Sequence, residues 1–191
     1  MEIPMKKINV LILIITVFWI FASCSKSSEM ENGETSAPAP AAGGATVIWH
    51  DFNNGLKLAA EKKKPVIMDF YADWCGWCRK MEVEVFSDRD VARKLGDNYI
   101  CVRLHTDRNP GETIKYKNHV LTKQEFAMML GVQGLPTLVF MDRDGNLITK
   151  IPGYINKSMM LPLLSYIKDG CYLNKVPFQD YMDGKSPCGK K

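Results

Sequence analysis

The chain runs to 191 residues, 46% hydrophobic and 24% charged, with 25 Lys and Arg against 21 Asp and Glu for a formal net charge of +4. Basic residues are interspersed with acidic ones, so there is no cationic stripe to follow a phosphate backbone, and nucleic acid is excluded as a partner. Size and apolar content suit one domain with a proper core.

Lys6-Lys7, an apolar stretch over residues 8–21 interrupted by Asn9 and Thr16, and then Ala22-Ser23-Cys24 open the chain. A basic start, a short apolar core and small residues before a cut site describe a secretory signal over residues 1–23; the run falls short of the roughly 20 residues that a spanning helix needs. An uncleaved anchor with Trp19 at the interface is the alternative. Phe21-Ala22-Ser23-Cys24 resembles the bacterial lipobox, with Phe21 where that motif prefers Leu. The resemblance implies lipidation of Cys24, a membrane-surface anchor, and, with Ser25 next, the outer membrane. Removing residues 1–23 leaves a net charge of +3. Residues 24–45, rich in Ser, Glu, Pro, Ala and Gly, cannot bury enough surface to offset the entropy of ordering and read as a flexible tether.

The folded part follows. Residues 46–50 read as a short strand and 53–64 as a helix with Leu56, Ala59 and Ala60 inward, stopped by Pro65. The continuous apolar run 66–71 is a strand buried on both faces. A helix begins at Cys75 and carries Met81, Val83 and Val85; Ser87 or Asp88 caps a second segment bearing Val91, Ala92 and Leu95. Residues 99–105 form the next strand. A long connection over 107–131 ends in a helix with a capping-box start at Thr122–Glu125 and a Gly131 stop. Strands at 137–141 and 147–151 are joined by a hairpin turn over 142–146. A helix over 156–169 tolerates Pro162 near its start, and a shorter helical piece covers 176–182. This order makes an α/β fold with a mixed central sheet and helices on both faces.

Trp74-Cys75-Gly76-Trp77-Cys78 sits directly behind the strand 66–71. At a helix start the unpaired N–H groups and the positive end of the macrodipole favour an anion, which makes Cys75 the candidate nucleophile. Cys78, one turn on and on the same face, is the candidate resolving thiol. A structural zinc site would need a second ligand pair, and Cys24, Cys101, Cys171 and Cys188 form none at such spacing. Neither metal nor cofactor is therefore expected.

The stretch from Val66 to Cys78 resembles the thioredoxin active-site segment almost position for position. Asp107-Arg108-Asn109-Pro110 and Gly131-Val132-Gln133-Gly134-Leu135-Pro136-Thr137 are similar to two later landmarks of that superfamily. The resemblance covers about residues 46–168 and implies a thioredoxin fold over 46–170 with a C-terminal extension over 171–191. It further implies that Pro136 is cis and faces the redox pair, leaving the Leu135 backbone free to pair with an extended substrate strand. Asp69 matches the buried acid behind the resolving cysteine, a candidate acceptor for the Cys78 proton. Arg103 matches a lysine near that acid and should act electrostatically only. Trp74, Gly76, Trp77 and Leu135 form the implied substrate rim, with Trp74 partly packed on the core and Trp77 exposed. The exported start, the tryptophan within Cys-Gly-Trp-Cys and the C-terminal extension look more like thioredoxin-related periplasmic lipoproteins than the cytosolic members. Potentials vary widely across this fold, so the motif alone does not set the direction of electron flow.

Cys101, mid-strand, reads as an inert buried thiol. Cys171 and Cys188 bracket the extension and, in an oxidising compartment, suit a structural disulfide that would add roughly 3 kcal/mol on the chain-entropy account; a second redox relay is the sharper alternative. His50, His105 and His119 read as surface or packing residues. Two functions are carried forward. One is an exported thiol-disulfide oxidoreductase that reduces or isomerises protein disulfides, with a membrane thiol reductase as electron donor. The other is a membrane-tethered binding or assembly module, for example in metalloprotein or cytochrome maturation.

Overall fold

The computed structural model describes residues 46–109, 111–186 and 188. The signal, the lipidation of Cys24 and the tether lie outside the described residues, among which no helix is long and apolar enough to cross a membrane.

The apolar run forms β2 (Val66–Tyr71), the middle strand of the sheet. It pairs in parallel with β3 (Ile100–His105) and antiparallel with β6 (Thr137–Met141). β7 (Leu147–Pro152) extends one edge antiparallel to β6, and β1 (Trp49–His50) closes the other edge parallel to β3. β1 is shorter than the expected 46–50 because its register with β3 runs only from Trp49 opposite Cys101 to His50 opposite Val102.

Asp51 caps α1 (Phe52–Lys62) by accepting the Asn54 N–H, and Lys63 ends it in the left-handed region at φ 53°. The helix turns Phe52, Gly55 and Ala59 inward, whereas Ala60, expected inside, is exposed. The reason is close approach: a Cβ at Gly55 would collide with Cγ2 of Val102, so the helix rests on its 52–55–59 ridge against β3.

After the Cys-Gly-Trp-Cys segment, α2 (Gly76–Met81) runs into a π turn over Glu82–Phe86, where the Ser87 N–H reaches back to the Glu82 carbonyl at 2.9 Å. Asp88 then caps α3 (Arg89–Asn98) through the Asp90 and Val91 N–H groups. The connection expected over 107–131 contains a hairpin of its own, β4 (Thr113–Tyr116) and β5 (His119–Thr122). Its Ile114 and Tyr116 are buried in the same core as Phe52 and Phe126, and the Tyr116 hydroxyl donates to the Gly145 carbonyl at 2.9 Å. α4 (Lys123–Met129) begins with the capping box read from the sequence, Thr122 and Glu125 bonding reciprocally.

Asn156 caps α5 (Lys157–Lys168), which continues through Pro162. A 3₁₀ turn at Cys171–Asn174 and α6 (Phe178–Met182) follow. α6 starts later than the expected 176 because Pro177 occupies its N-cap. Cys171 and Cys188 are disulfide-bonded with their Cα atoms 5.7 Å apart, and Tyr166 packs against Phe178 and Tyr181, so the extension lies back on α5.

The sheet separates two apolar cores. Ile67, Cys101, Leu138 and Phe140 face α2, α3 and α5; Met68, Phe70, Val102, Leu104 and Val139 face α1 and α4. Alternation along β2 and β3 therefore puts Asp69 and Arg103, paired in register, on the face that α2 covers.

Candidate active site

Cys75 is itself the N-cap of α2, in extended backbone, and its Sγ accepts the Cys78 N–H at 3.1 Å. That contact is what a thiolate at this position would receive on reduction, since a helix-start N–H stabilises negative charge on sulfur. In the structure the two sulfurs are bonded, with Cα atoms 5.2 Å apart and the residues 5% and 8% exposed. They pack in a small cluster with Ala72, Tyr71 and Leu135. The Leu135–Pro136 peptide is cis. The loop carrying it is held by the Thr137 hydroxyl, which donates to the Gly134 carbonyl at 2.6 Å, and by the Gly153 N–H, which donates to the Pro136 carbonyl at 2.8 Å. Gly153, directly after β7, takes a positive φ of 82° that favours glycine.

On the α2 face of the sheet Asp69 is 2% exposed. Its Oδ2 accepts from Arg103 Nε at 3.1 Å, while Oδ1 has no hydrogen-bond partner among the described residues. Burial pushes the Asp69 carboxyl up to about 6 against the opposing pull of the Arg103 charge and hydrogen bond, and the nearby Glu82 carboxylate adds to the rise. Arg103 also binds Glu82 Oε2 at 2.5 Å and lies over the Trp49 and Tyr71 rings at 4.1 and 4.8 Å. Glu82 was not singled out in the sequence, because its approach to Arg103 depends on the π turn.

Both tryptophans are exposed, Trp74 at 69% and Trp77 at 57%, which corrects the expected split in which Trp74 packs on the core. They are fixed differently. Trp74 donates its indole N–H to Asp107 Oδ2. Trp77 lies 5.7 Å from the Tyr154 ring, Lys80 sits over both rings, and the Tyr154 hydroxyl donates to Glu84 at 2.6 Å. Gly76 is exposed at the helix start between them. The start of the second landmark thus touches the site directly: Asp107 holds Trp74, and Arg108 grips Asp73 Oδ2 from Nε at 3.1 Å and Nη2 at 2.8 Å. Hydrogen bonds from Thr106 and Trp74 hold the Asp107 carboxyl below the usual carboxylate range, and the Arg108 hydrogen bond does the same for Asp73.

A protein-family model described as a thioredoxin-like domain matches residues 52–168. The chain belongs to the thioredoxin-like family. Among curated relatives it is 40% identical over 106 residues to the thiol:disulfide interchange protein DsbD of Yersinia enterocolitica, an alignment covering 54% of this chain and 16% of that protein. The thioredoxin-like chain thus spans less than a fifth of the length of such relatives. A thioredoxin-fold protein from Helicobacter pylori superimposes with a TM-score of 0.53 at 20% identity, covering 64% of this chain and 80% of its own. A thioredoxin from Thermus thermophilus gives 0.53 at 23% identity, covering 64% and 87%. At those identities the two solved structures show the fold alone. The thioredoxin-like domain thus carries a disulfide-bonded Cys75–Cys78 pair at a helix start, an arrangement capable of dithiol–disulfide exchange.

Proposed function

We propose that this thioredoxin-like chain acts in the cell envelope as a thiol-disulfide oxidoreductase on protein substrates, through Cys75 and Cys78. One observation carries the reading. Cys75 caps a helix with its Sγ on the Cys78 N–H, and the two sulfurs are already within bonding distance of each other. In the reduced form the Cys75 thiolate attacks a substrate disulfide, making a Cys75–substrate S–S bond and releasing one substrate thiolate. Cys78 then loses its proton and attacks Cys75 Sγ, closing the intramolecular disulfide and releasing the second substrate thiolate. Two electrons pass to the substrate, and a dithiol supplied by a membrane thiol reductase restores the pair. Asp69, whose carboxyl is pushed up to about 6, accepts the Cys78 proton, because a general base works best with a pKa near the working pH. Trp74, Trp77, Gly76, Leu135 and Pro136 form the surface on which the substrate chain docks.

The purified full-length protein, given dithiothreitol, is expected to reduce insulin disulfides and to equilibrate with glutathione at a measurable potential, which also sets the direction of electron flow. A folded protein that never reduces insulin and shows no thiol-disulfide equilibrium would sink this reading. Anchoring is a separate part of the proposal. With Cys24 lipidated and residues 1–23 removed, Cys24→Ala is expected to release the protein from membranes or to block its maturation. A Cys24→Ala protein that stays membrane-bound with its signal attached would identify the apolar segment as a permanent anchor.

A further inference from the structure

The exchange step leaves one buried titratable side chain near the site without a role. His105, 7% exposed at the end of β3, stands edge-on to Tyr71 with ring centroids 4.9 Å apart. Its Nδ1 accepts two backbone N–H groups, from Asp107 at 3.2 Å and Arg108 at 2.9 Å. A nitrogen that accepts two amide protons must carry the lone pair, so the ring proton belongs on Nε2. Nε2 faces Asp73 Oδ2 at 3.2 Å, an ion-pair separation short of an aligned hydrogen bond. The loop pinned in this way is the one whose Asp107 holds Trp74 and whose Arg108 holds Asp73. Thr106 adds an N–H bond to the Tyr71 carbonyl at 3.0 Å.

We propose that His105 is a positioning residue for this site: its neutral ring fixes the 106–108 loop, and through Asp107 and Arg108 that loop sets Trp74 and Asp73 immediately before Cys75. The effect on turnover rests on the dithiol-exchange reading; the effect on the loop does not. What the loop uses is the acceptor at Nδ1: a side chain that offers none leaves the Asp107 and Arg108 amides without that partner, and the hold on Trp74 loosens.

The test uses the full-length protein with two substitutions. His105→Asn puts a carbonyl oxygen near the place of Nδ1; His105→Leu offers no acceptor. With Leu, the Asp107 and Arg108 amides should lose hydrogen-exchange protection about tenfold, the Trp74 indole N–H signal should move, and kcat/KM for insulin reduction should fall about tenfold. With Asn, protection and turnover at neutral pH should stay within about twofold of the parent. Full protection in a folded His105→Leu protein would overturn the assignment. So would an Asn variant that behaves like Leu, or parent ¹⁵N spectra placing the ring proton on Nδ1. If Leu fails to fold, the parent spectra and the Asn comparison still decide. If the loop responds as expected while no folded form reduces insulin, the exchange reading fails and the positioning role stands.

Discussion

Cys78→Ser will leave Cys75 joined to substrate proteins as stable mixed disulfides, and Cys75→Ser will leave none. The expectation follows from the geometry at the start of α2 (Gly76–Met81), where Cys75 is the cap and Cys78 lies one turn behind it. The sulfur that receives a helix-start N–H is the better anion and attacks first; the sulfur behind it attacks only the bond the first has made. Without that second attack, the mixed disulfide waits for an external thiol. Insulin reduction should fall below detection in both variants, so the discriminating measurement is non-reducing electrophoresis of cells carrying each one. Trapping by Cys75→Ser and not by Cys78→Ser would reverse the two roles.

Asp69→Asn should make the protein more stable and slower at once. The parent carboxyl titrates at about 6 in the folded state, above the value of about 4 for a free aspartate. A folded state that holds its proton more tightly than the unfolded chain loses stability as pH rises from about 4 to about 6, and the loss is complete above that window. Two pH units correspond to about 3 kcal/mol, an order of magnitude that an uncharged amide avoids. Arg103 keeps Glu82 as a partner in the variant. Urea melts at pH 7 should therefore show a gain of about 2 kcal/mol, shrinking toward nothing below about pH 4, where the parent becomes protonated in both states. Loss of the proton acceptor should slow disulfide exchange by about a hundredfold, read by stopped-flow with a small-molecule disulfide and with insulin. Equal or lower stability at pH 7 would mean that the carboxylate is not disfavoured by burial.

Most of the sheet could be read from β-branched and apolar runs, because strands buried on both faces leave little choice of residue. Helix starts were legible at Thr122 and to within one residue at Ser87 or Asp88, of which Asp88 is the cap, since such caps follow local rules that need no tertiary partner. The β4–β5 hairpin escaped because its turn places Lys117 rather than a glycine in the left-handed region, at φ 53°. Its fully buried residues, Ile114 and Tyr116, are only two, flanked by Thr and Lys that suit a loop equally well. The π turn over Glu82–Phe86 could not be anticipated either, because one extra residue per turn leaves no mark on hydrophobic spacing. Of the residues in the proposed site, Cys75, Cys78, Asp69 and Pro136 stand out in the sequence by motif. His105 did not: a single histidine at a strand end carries no spacing, and its partners are two main-chain amides and an aspartate 32 positions earlier.

Cys101 gives the molecule a built-in clock for opening. It lies 3% exposed on a strand inside the sheet, and burial pushes its thiol up to about 12. With both disulfides closed it is the one free thiol among the described residues. A thiol reagent added to the oxidised domain therefore meets nothing reactive there until β3 leaves its neighbours. The rate of labelling at Cys101 then records how often the centre of the sheet comes apart, with no probe introduced and no chemistry at the redox pair to confuse it.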